Sequence, residues 1–197
     1  MKTLKALLII FWVFTVTIAV AVLGSFLQEC RAVEASTEVD HHIEQLTEAV
    51  FEHQPFYRRF QKAKAKRLAV IITTSALDED IPPMIALTVA LRESALLHKV
   101  GSLGELGIFQ VHPTGRAKVV CSDGCDLSLP SCNAKTAMCW LSKARELCGE
   151  SPWLWVGGYG RSRCPTDIDE AKSWHEVKRA RRILCELTDR CSVLWPE

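Results

Sequence analysis

Neither sign of charge is in excess in this chain of 197 residues, which has 24 Lys or Arg and 23 Asp or Glu side chains. Domains that bind nucleic acid by electrostatics are usually clearly basic. We therefore predict no nucleic-acid partner. Internal repeats, low-complexity tracts and clear strand patterns are also missing. The length and these absences predict one mainly α domain with an appendage.

The appendage is an uncharged apolar run over residues 6–27, which follows Lys2 and Lys5. It is longer than the 7 to 15 apolar residues of a typical signal peptide. It is close to the roughly 20 residues that span a bilayer. Either form sends the chain out of the cytoplasm, to a periplasmic or other extracytoplasmic site, membrane-anchored or secreted. The predicted organisation is a signal anchor or signal peptide at 1–28, a polar linker at 29–40 and a domain at 41–197.

Nine cysteines are present, and eight of them lie between Cys121 and Cys191. None has the paired C-x2-C spacing of a structural zinc site. Outside the cytoplasm, such density predicts disulfides, and we expect neither a metal nor another cofactor. Eight cysteines allow 105 connectivities, among which the sequence does not choose. Signal cleavage after Ala35 would remove Cys30 and leave this even number, whereas the length of the apolar run favours a retained anchor.

Helical periodicity, with Pro and Gly as breakers, divides the domain into five segments. The third is apolar on nearly every side, which is typical of a helix buried at the centre of a domain. A glycine-rich loop follows it, then a cysteine-rich loop over 115–132, and an apolar run at 153–156 precedes the last helix. The predicted helices cover residues 40–54, 56–76, 83–97, 133–148 and 167–187.

Glu93 lies in the last turn of this central helix. The residues three, four and seven positions before it share its face and are all apolar: Ala90, Val89 and Ala86. Dry surroundings and the negative end of the helix dipole both favour the protonated carboxyl. A carboxylic acid of this kind can donate a proton to a leaving oxygen. The alternative is a structural glutamate paired with Arg92 or with a distant base.

Three short motifs occur in order along the chain. The first is Glu93-Ser94 at the end of the apolar helix. The second is Gly107-Ile108-Phe109-Gln110, with Ser102 and Gly104 before it and Pro113 after it, and the third is Gly158-Tyr159-Gly160. In order and spacing they resemble the signatures of the lytic transglycosylases with the soluble-transglycosylase (SLT) domain, in the lysozyme-like superfamily. The resemblance covers about residues 80–190.

The resemblance implies a lysozyme-like fold that cleaves the β-1,4 bond between N-acetylmuramic acid and N-acetylglucosamine in peptidoglycan. Glu93 would protonate the glycosidic oxygen and then accept the proton of the C6 hydroxyl, which closes a 1,6-anhydro ring. No second carboxylate is needed, unlike in most glycosidases. The implied partners are peptidoglycan glycan strands, and the membrane through the N-terminal segment.

By position in the motifs, Ser102, Gln110 and His112 would line the glycan groove. Tyr159 would hydrogen-bond near Glu93 and hold it in place. A carboxylate that supports the site in the family is matched loosely by Glu176. The sequence departs from the family at three positions. Gly160 stands where the family has asparagine, Gly158 where it has alanine, and Leu96 where it usually has an aromatic residue. These departures concern the fit of the substrate and leave the acid in place.

Two other functions stay open. A lysozyme-type hydrolase on the same fold would use water and a second carboxylate, such as Asp123, Asp126 or Glu105. A non-catalytic module that binds the cell wall or assists envelope assembly would keep the fold without the chemistry. A role in cutting a local hole for an envelope-spanning machine also suits one small domain.

Overall fold

The computed structural model describes residues 37–51, 62–161 and 163–196 of the chain. The chain divides into two compact units, Met1–His41 and His42–Glu197. The predicted signal or anchor segment and the proposed cleavage site at Ala35 lie outside the described residues, as does Cys30. None of the described helices is long and apolar enough to cross a membrane.

The described part of the chain is mainly helical, as predicted, and it contains isolated β-bridges but no strand. The first helix, α1, covers residues 37–51. The others are α2 (Lys62–Leu77), α3 (Pro83–Ser94), α4 (Arg116–Cys121), α5 (Pro130–Cys148), α6 (Pro152–Tyr159), α7 (Ile168–Ser173), α8 (His175–Leu187) and α9 (Cys191–Leu194).

The core forms around α3, whose all-round apolar pattern correctly predicts its burial. Residues Ile85 to Ala90 of this helix are all fully buried. α2 and α8 pack against α3, and α5 packs against α2, α4 and α6. Pro83 occupies the first turn of α3, where its missing N–H leaves no hydrogen bond unmade. The carboxyl end of α3 is packed as well, since Arg92 and Ser94 are both buried.

α3 ends at Ser94, three residues earlier than the periodicity predicts. Ala95 and Leu96 adopt positive φ angles of 54° and 61°, which stop the helix. Leu96 is nevertheless buried, with 1% of its surface exposed. Packing of this leucine into the core offsets the backbone strain, and no local pattern in the sequence signals it.

The predicted last helix over 167–187 is wrong as a single element, because it breaks at Trp174 into α7 and α8. Asp167 caps α7 by accepting a hydrogen bond from the backbone N–H of Glu170 at 2.7 Å. Trp174 itself is extended, with φ −72° and ψ 126°, and it is buried. A Cβ on Gly157 would lie 3.1 Å from the Trp174 ring, so this glycine permits close packing of the indole on α6.

One predicted loop contains a helix, and the apolar run before the last helix is helical as well. The cysteine-rich loop includes α4, and the apolar run at 153–156 extends into α6, which carries Gly157, Gly158 and Tyr159. Pro152 starts α6 and Pro130 starts α5, each in the first turn. The glycines of α6 have low helix propensity, but packing against the surrounding core stabilises this helix and outweighs that propensity.

The described residues form four disulfides, as predicted for an oxidising compartment. One joins α4 to α5, and a second ties the preceding loop to the start of α5. A third links the end of α5 to the segment that follows α6, and the fourth joins α8 to α9. The pairs are Cys121–Cys139, Cys125–Cys132, Cys148–Cys164 and Cys185–Cys191.

Candidate active site

An open cleft of about 830 Å³ lies at the carboxyl end of α3. Glu93 lines it, together with four of the other residues predicted from the motifs. Those four are Ser102, Gln110, His112 and Tyr159. Aromatic and charged side chains complete the wall, among them Trp140, Lys99, Arg116 and Arg161. The cleft thus combines apolar surface with a few polar groups, which is typical of a ligand site.

Glu93 is placed by the direction of α3 and by its neighbour Arg92. The predicted apolar face behind it is fully buried, but 24% of the Glu93 side chain itself is exposed. Arg92 Nε donates to Glu93 Oε1 at 3.0 Å, and Arg92 Nη2 donates to the same oxygen. Glu93 therefore makes the ion pair with Arg92 that the sequence left as an alternative, and the Arg92 side chain in this pair is only 4% exposed.

Ser94, the second residue of the first motif, links the end of α3 to the second motif. Its hydroxyl is buried and donates to the carbonyl oxygen of Ile108 at 2.6 Å. This bond joins the end of α3 to the second motif, 14 residues further along the chain. The serine therefore has a structural role that holds the glycine-rich loop beside Glu93.

A tight β-bridge loop carries the second motif. Leu106 bridges to Val100 and to Val111, and Gly101 N–H donates to the Glu105 carbonyl at 2.7 Å. Gly107 has a φ of 75°, and a Cβ there would collide with the side chain of Asn133. A glycine is thus required at this position for both conformation and space.

Asn133 on α5 holds this loop in place through side-chain hydrogen bonds. It is fully buried, accepts from Phe109 N–H at 2.9 Å and donates to the Leu106 carbonyl at 2.8 Å. The sequence analysis missed it. A polar residue on the face of α5 that Ala137 and Leu141 occupy was the available signal, because a buried amide needs partners.

Gln110 and His112 face the cleft but are also tied to the loop. Gln110 Nε2 donates to the Gly107 carbonyl at 2.6 Å, with its own backbone at a φ of 50°. His112 Nε2 lies 3.1 Å from the Leu103 carbonyl, so Nε2 carries the proton in this pair. Its Nδ1 is then left to accept from the Thr114 N–H at 3.3 Å. These bonds fix which edges of the two side chains remain for a ligand.

Tyr159 approaches the cleft from α6. Its hydroxyl donates to the Phe109 carbonyl at 2.9 Å rather than to Glu93. Burial of the phenol, and secondly the Glu93 carboxylate, raise the pKa of Tyr159 well above its usual range. The hydroxyl therefore stays protonated, and it ties the third motif to the second.

Glu176 lies beside the cleft rather than in it. It lines a smaller pocket of about 260 Å³ that also includes Glu93. A hydrogen bond from Arg161 lowers the pKa of Glu176, with a smaller contribution from Arg92. Arg161 stacks on Trp174, with its Cζ 4.0 Å from the ring centroid. Arg161, which lines the cleft, is a further site residue that the sequence analysis missed, and Trp174 holds it in place.

Of the three acids considered for a hydrolase, Glu105 alone is among the described residues that line the cleft. Its Oε2 accepts from the Leu103 N–H at 3.0 Å. Asp126 is turned to its own loop, where a hydrogen bond from the Ser128 hydroxyl lowers its pKa. Across residues 37–51, 62–161 and 163–196, no cluster of three His, Cys, Asp or Glu side chains could hold a metal ion.

No family model, curated protein or solved structure shows significant similarity to this chain.

Proposed function

We propose that the chain is a lytic transglycosylase with a lysozyme-like fold, which cleaves peptidoglycan with Glu93 as general acid and base. The observation that carries the proposal is the convergence of three separate motifs on one cleft. Glu93, Gln110 and Tyr159 come from different segments and line the same wall. Hydrogen bonds from Ser94 and Tyr159 join these motifs.

The chemistry proceeds in two proton transfers. Glu93 in its acid form protonates the glycosidic oxygen, and the bond from that oxygen to C1 breaks. The resulting carboxylate accepts the C6 hydroxyl proton while O6 bonds to C1, which returns Glu93 to its acid form. Arg92 stabilises the carboxylate between the two transfers, because its guanidinium donates to Glu93 Oε1. Arg92 therefore assists the base half of the cycle.

The setting of this activity is outside the cytoplasm. The four disulfides support an oxidising compartment. The basic and apolar start of the chain supports export, with a periplasmic or extracytoplasmic domain that is anchored or secreted. Glycan strands are the proposed partner, and an envelope-spanning machine that needs a local opening is a further one.

A zymogram of purified peptidoglycan tests the proposal with Glu93→Gln beside the wild type. Loss of a general acid lowers rates by about 100- to 10,000-fold, so clearing should disappear. The matched control is Glu146→Gln, which alters an exposed glutamate of α5 and should clear normally. Equal clearing by Glu93→Gln and the wild type would exclude Glu93 as the general acid, whereas absence of clearing by the wild type would favour the non-catalytic module.

A lysozyme-type hydrolase is the second candidate, because Glu105 lines the same cleft as Glu93. Mass spectrometry of the released fragments separates the two reactions. Anhydro products are lighter by one water than hydrolysed products. Glu105→Gln should keep the activity of a transglycosylase and abolish that of a hydrolase that relies on this second carboxylate.

A further inference from the structure

The smaller pocket beside the cleft lies where α3 ends and α8 begins. It shares Glu93 and Gly160 with the cleft, so a ligand there would be next to the proposed reaction centre. The other residues that line it are Arg92, His175, Glu176 and Arg179.

Arg92, which lines this pocket, has one side-chain donor that is not used. Its side chain is only 4% exposed, and its Nε and Nη2 are bound to Glu93. Its Nη1 is buried and has no hydrogen-bond acceptor among the described residues. A buried guanidinium N–H without an acceptor is unfavourable, so a ligand that supplies an acceptor would relieve this cost.

The remaining charges of the pocket also favour an anion. Both of its acids are already paired, Glu93 with Arg92 and Glu176 with Arg161. Arg179 is exposed and makes no ion pair within the described ranges. The pocket also contains the first turn of α8, a helix of 13 residues without a side-chain cap. The positive end of the α8 dipole adds to the positive charge at the pocket.

We propose that this pocket binds a carboxylate, and that the carboxylate is carried by the peptide side chains of the glycan strand. The nature of the ligand rests on the proposed function, whereas the anion site does not. A carboxylate bound to the spare Nη1 of Arg92 leaves Nε and Nη2 on Glu93. Arg92 would thus hold a peptide-bearing strand next to the proposed acid.

The anion site is tested by binding alone. N-acetyl-D-alanine is titrated into ¹⁵N-labelled full-length protein while the arginine Nε–H resonances are followed by NMR. The uncharged probe of the same shape is N-acetyl-D-alanine amide, and Arg92→Lys assigns the Arg92 resonance. We expect a saturable shift with the acid and none with the amide. Equal shifts with both probes, or no saturable shift, would overturn the proposal.

A pair of variants on α8 then locates the site. Arg179→Gln removes a charge that lines the pocket, whereas Lys178→Gln removes one from an exposed neighbour outside its lining. The dissociation constant of the acid should rise roughly three- to tenfold in Arg179→Gln and stay unchanged in Lys178→Gln. An equal weakening in both would show that only the general charge of α8 matters. Tighter binding of inorganic phosphate than of the carboxylate would contradict the ligand class.

The source of the carboxylate is tested by activity. Rates are compared on peptide-bearing strands and on strands stripped of peptide by an amidase. Selectivity for the peptide-bearing strands should fall roughly three- to tenfold in Arg179→Gln and persist in Lys178→Gln. Unchanged selectivity in Arg179→Gln would overturn the assignment to the peptide. Absence of cleavage of either strand by the wild type would reject the proposed function and leave the binding result to decide the anion site.

Discussion

The hydroxyl of Tyr159 donates a hydrogen bond of 2.9 Å to the carbonyl oxygen of Phe109, 50 residues earlier in the chain. This bond joins α6 to the loop that carries Gln110. Removal of the phenolic hydroxyl therefore tests whether the two motifs depend on each other.

Tyr159→Phe should lower the free energy of unfolding by about 1–3 kcal/mol, because the Phe109 carbonyl loses its side-chain donor. Urea denaturation followed by circular dichroism measures the change. The proposed glycan cleavage should fall as well, through displacement of Gln110. A variant as stable as the wild type would show that water replaces the phenol at no cost, and that the bond is dispensable.

The protonation of Tyr159 can be observed directly. The chain has two tyrosines, so Tyr57→Phe leaves Tyr159 as the sole phenol in an ultraviolet titration. Its midpoint should lie above the ordinary value of 10.0, because burial disfavours the phenolate. Because the pKa of this phenol is higher in the folded state than in the unfolded state, the free energy of unfolding should fall as the pH rises above about 10. A midpoint at the ordinary value would contradict the burial of this hydroxyl.

Asn133→Ala removes two buried hydrogen bonds to the loop and should destabilise the fold by about 2–4 kcal/mol. The matched control is Thr136→Val on the same helix. The Thr136 hydroxyl is buried without a partner among the described residues, so its removal should be neutral or slightly stabilising. Thermal unfolding of the two variants measures the contrast. A Thr136→Val variant as unstable as Asn133→Ala would point to a missing partner for the threonine.

Two glycines of the loop allow the cost of backbone strain to be compared with the cost of a side-chain collision. Both have a positive φ, 88° at Gly104 and 75° at Gly107, but open space surrounds Gly104. Gly104→Ala should cost about 1–2 kcal/mol from the left-handed backbone alone. Gly107→Ala should cost clearly more, because its Cβ would collide with Asn133. Equal losses of unfolding free energy would show that the loop can shift away from α5.

Removal of the disulfide between Cys148 and Cys164, by serine at both positions, should lower stability by about 2–4 kcal/mol. The bridge between Cys185 and Cys191 closes a shorter loop, with a separation of 6 rather than 16, and its removal should cost less. Chemical denaturation of the two double variants gives the order. The reverse order would indicate that packing near α9, rather than chain entropy, decides the effect.

Part of this architecture follows from the sequence, because helical periodicity is a local property. The buried α3 and the position of Glu93 at its end are examples of it. The break at Trp174 is not local, since it depends on an indole that packs against Gly157. The early end of α3 likewise depends on the burial of Leu96.

The candidate site shows the same division. The motifs predict which residues share the cleft, and five of the six residues named from them line it. They do not predict the Arg92–Glu93 ion pair, which the sequence offered only as the alternative to a protonated acid. Nor do they predict Asn133 or the pairing of the cysteines. These features depend on where side chains from distant segments meet, which spacing along one segment does not reveal.

The Cys148–Cys164 bridge encloses α6, and with it Tyr159, in a covalent loop. A reducing compartment would keep such a loop open, whereas an oxidising one closes it. The wall of the cleft that carries Tyr159 therefore gains its covalent tie to the end of α5 only after oxidation, which couples the completion of the candidate site to the redox state of its surroundings.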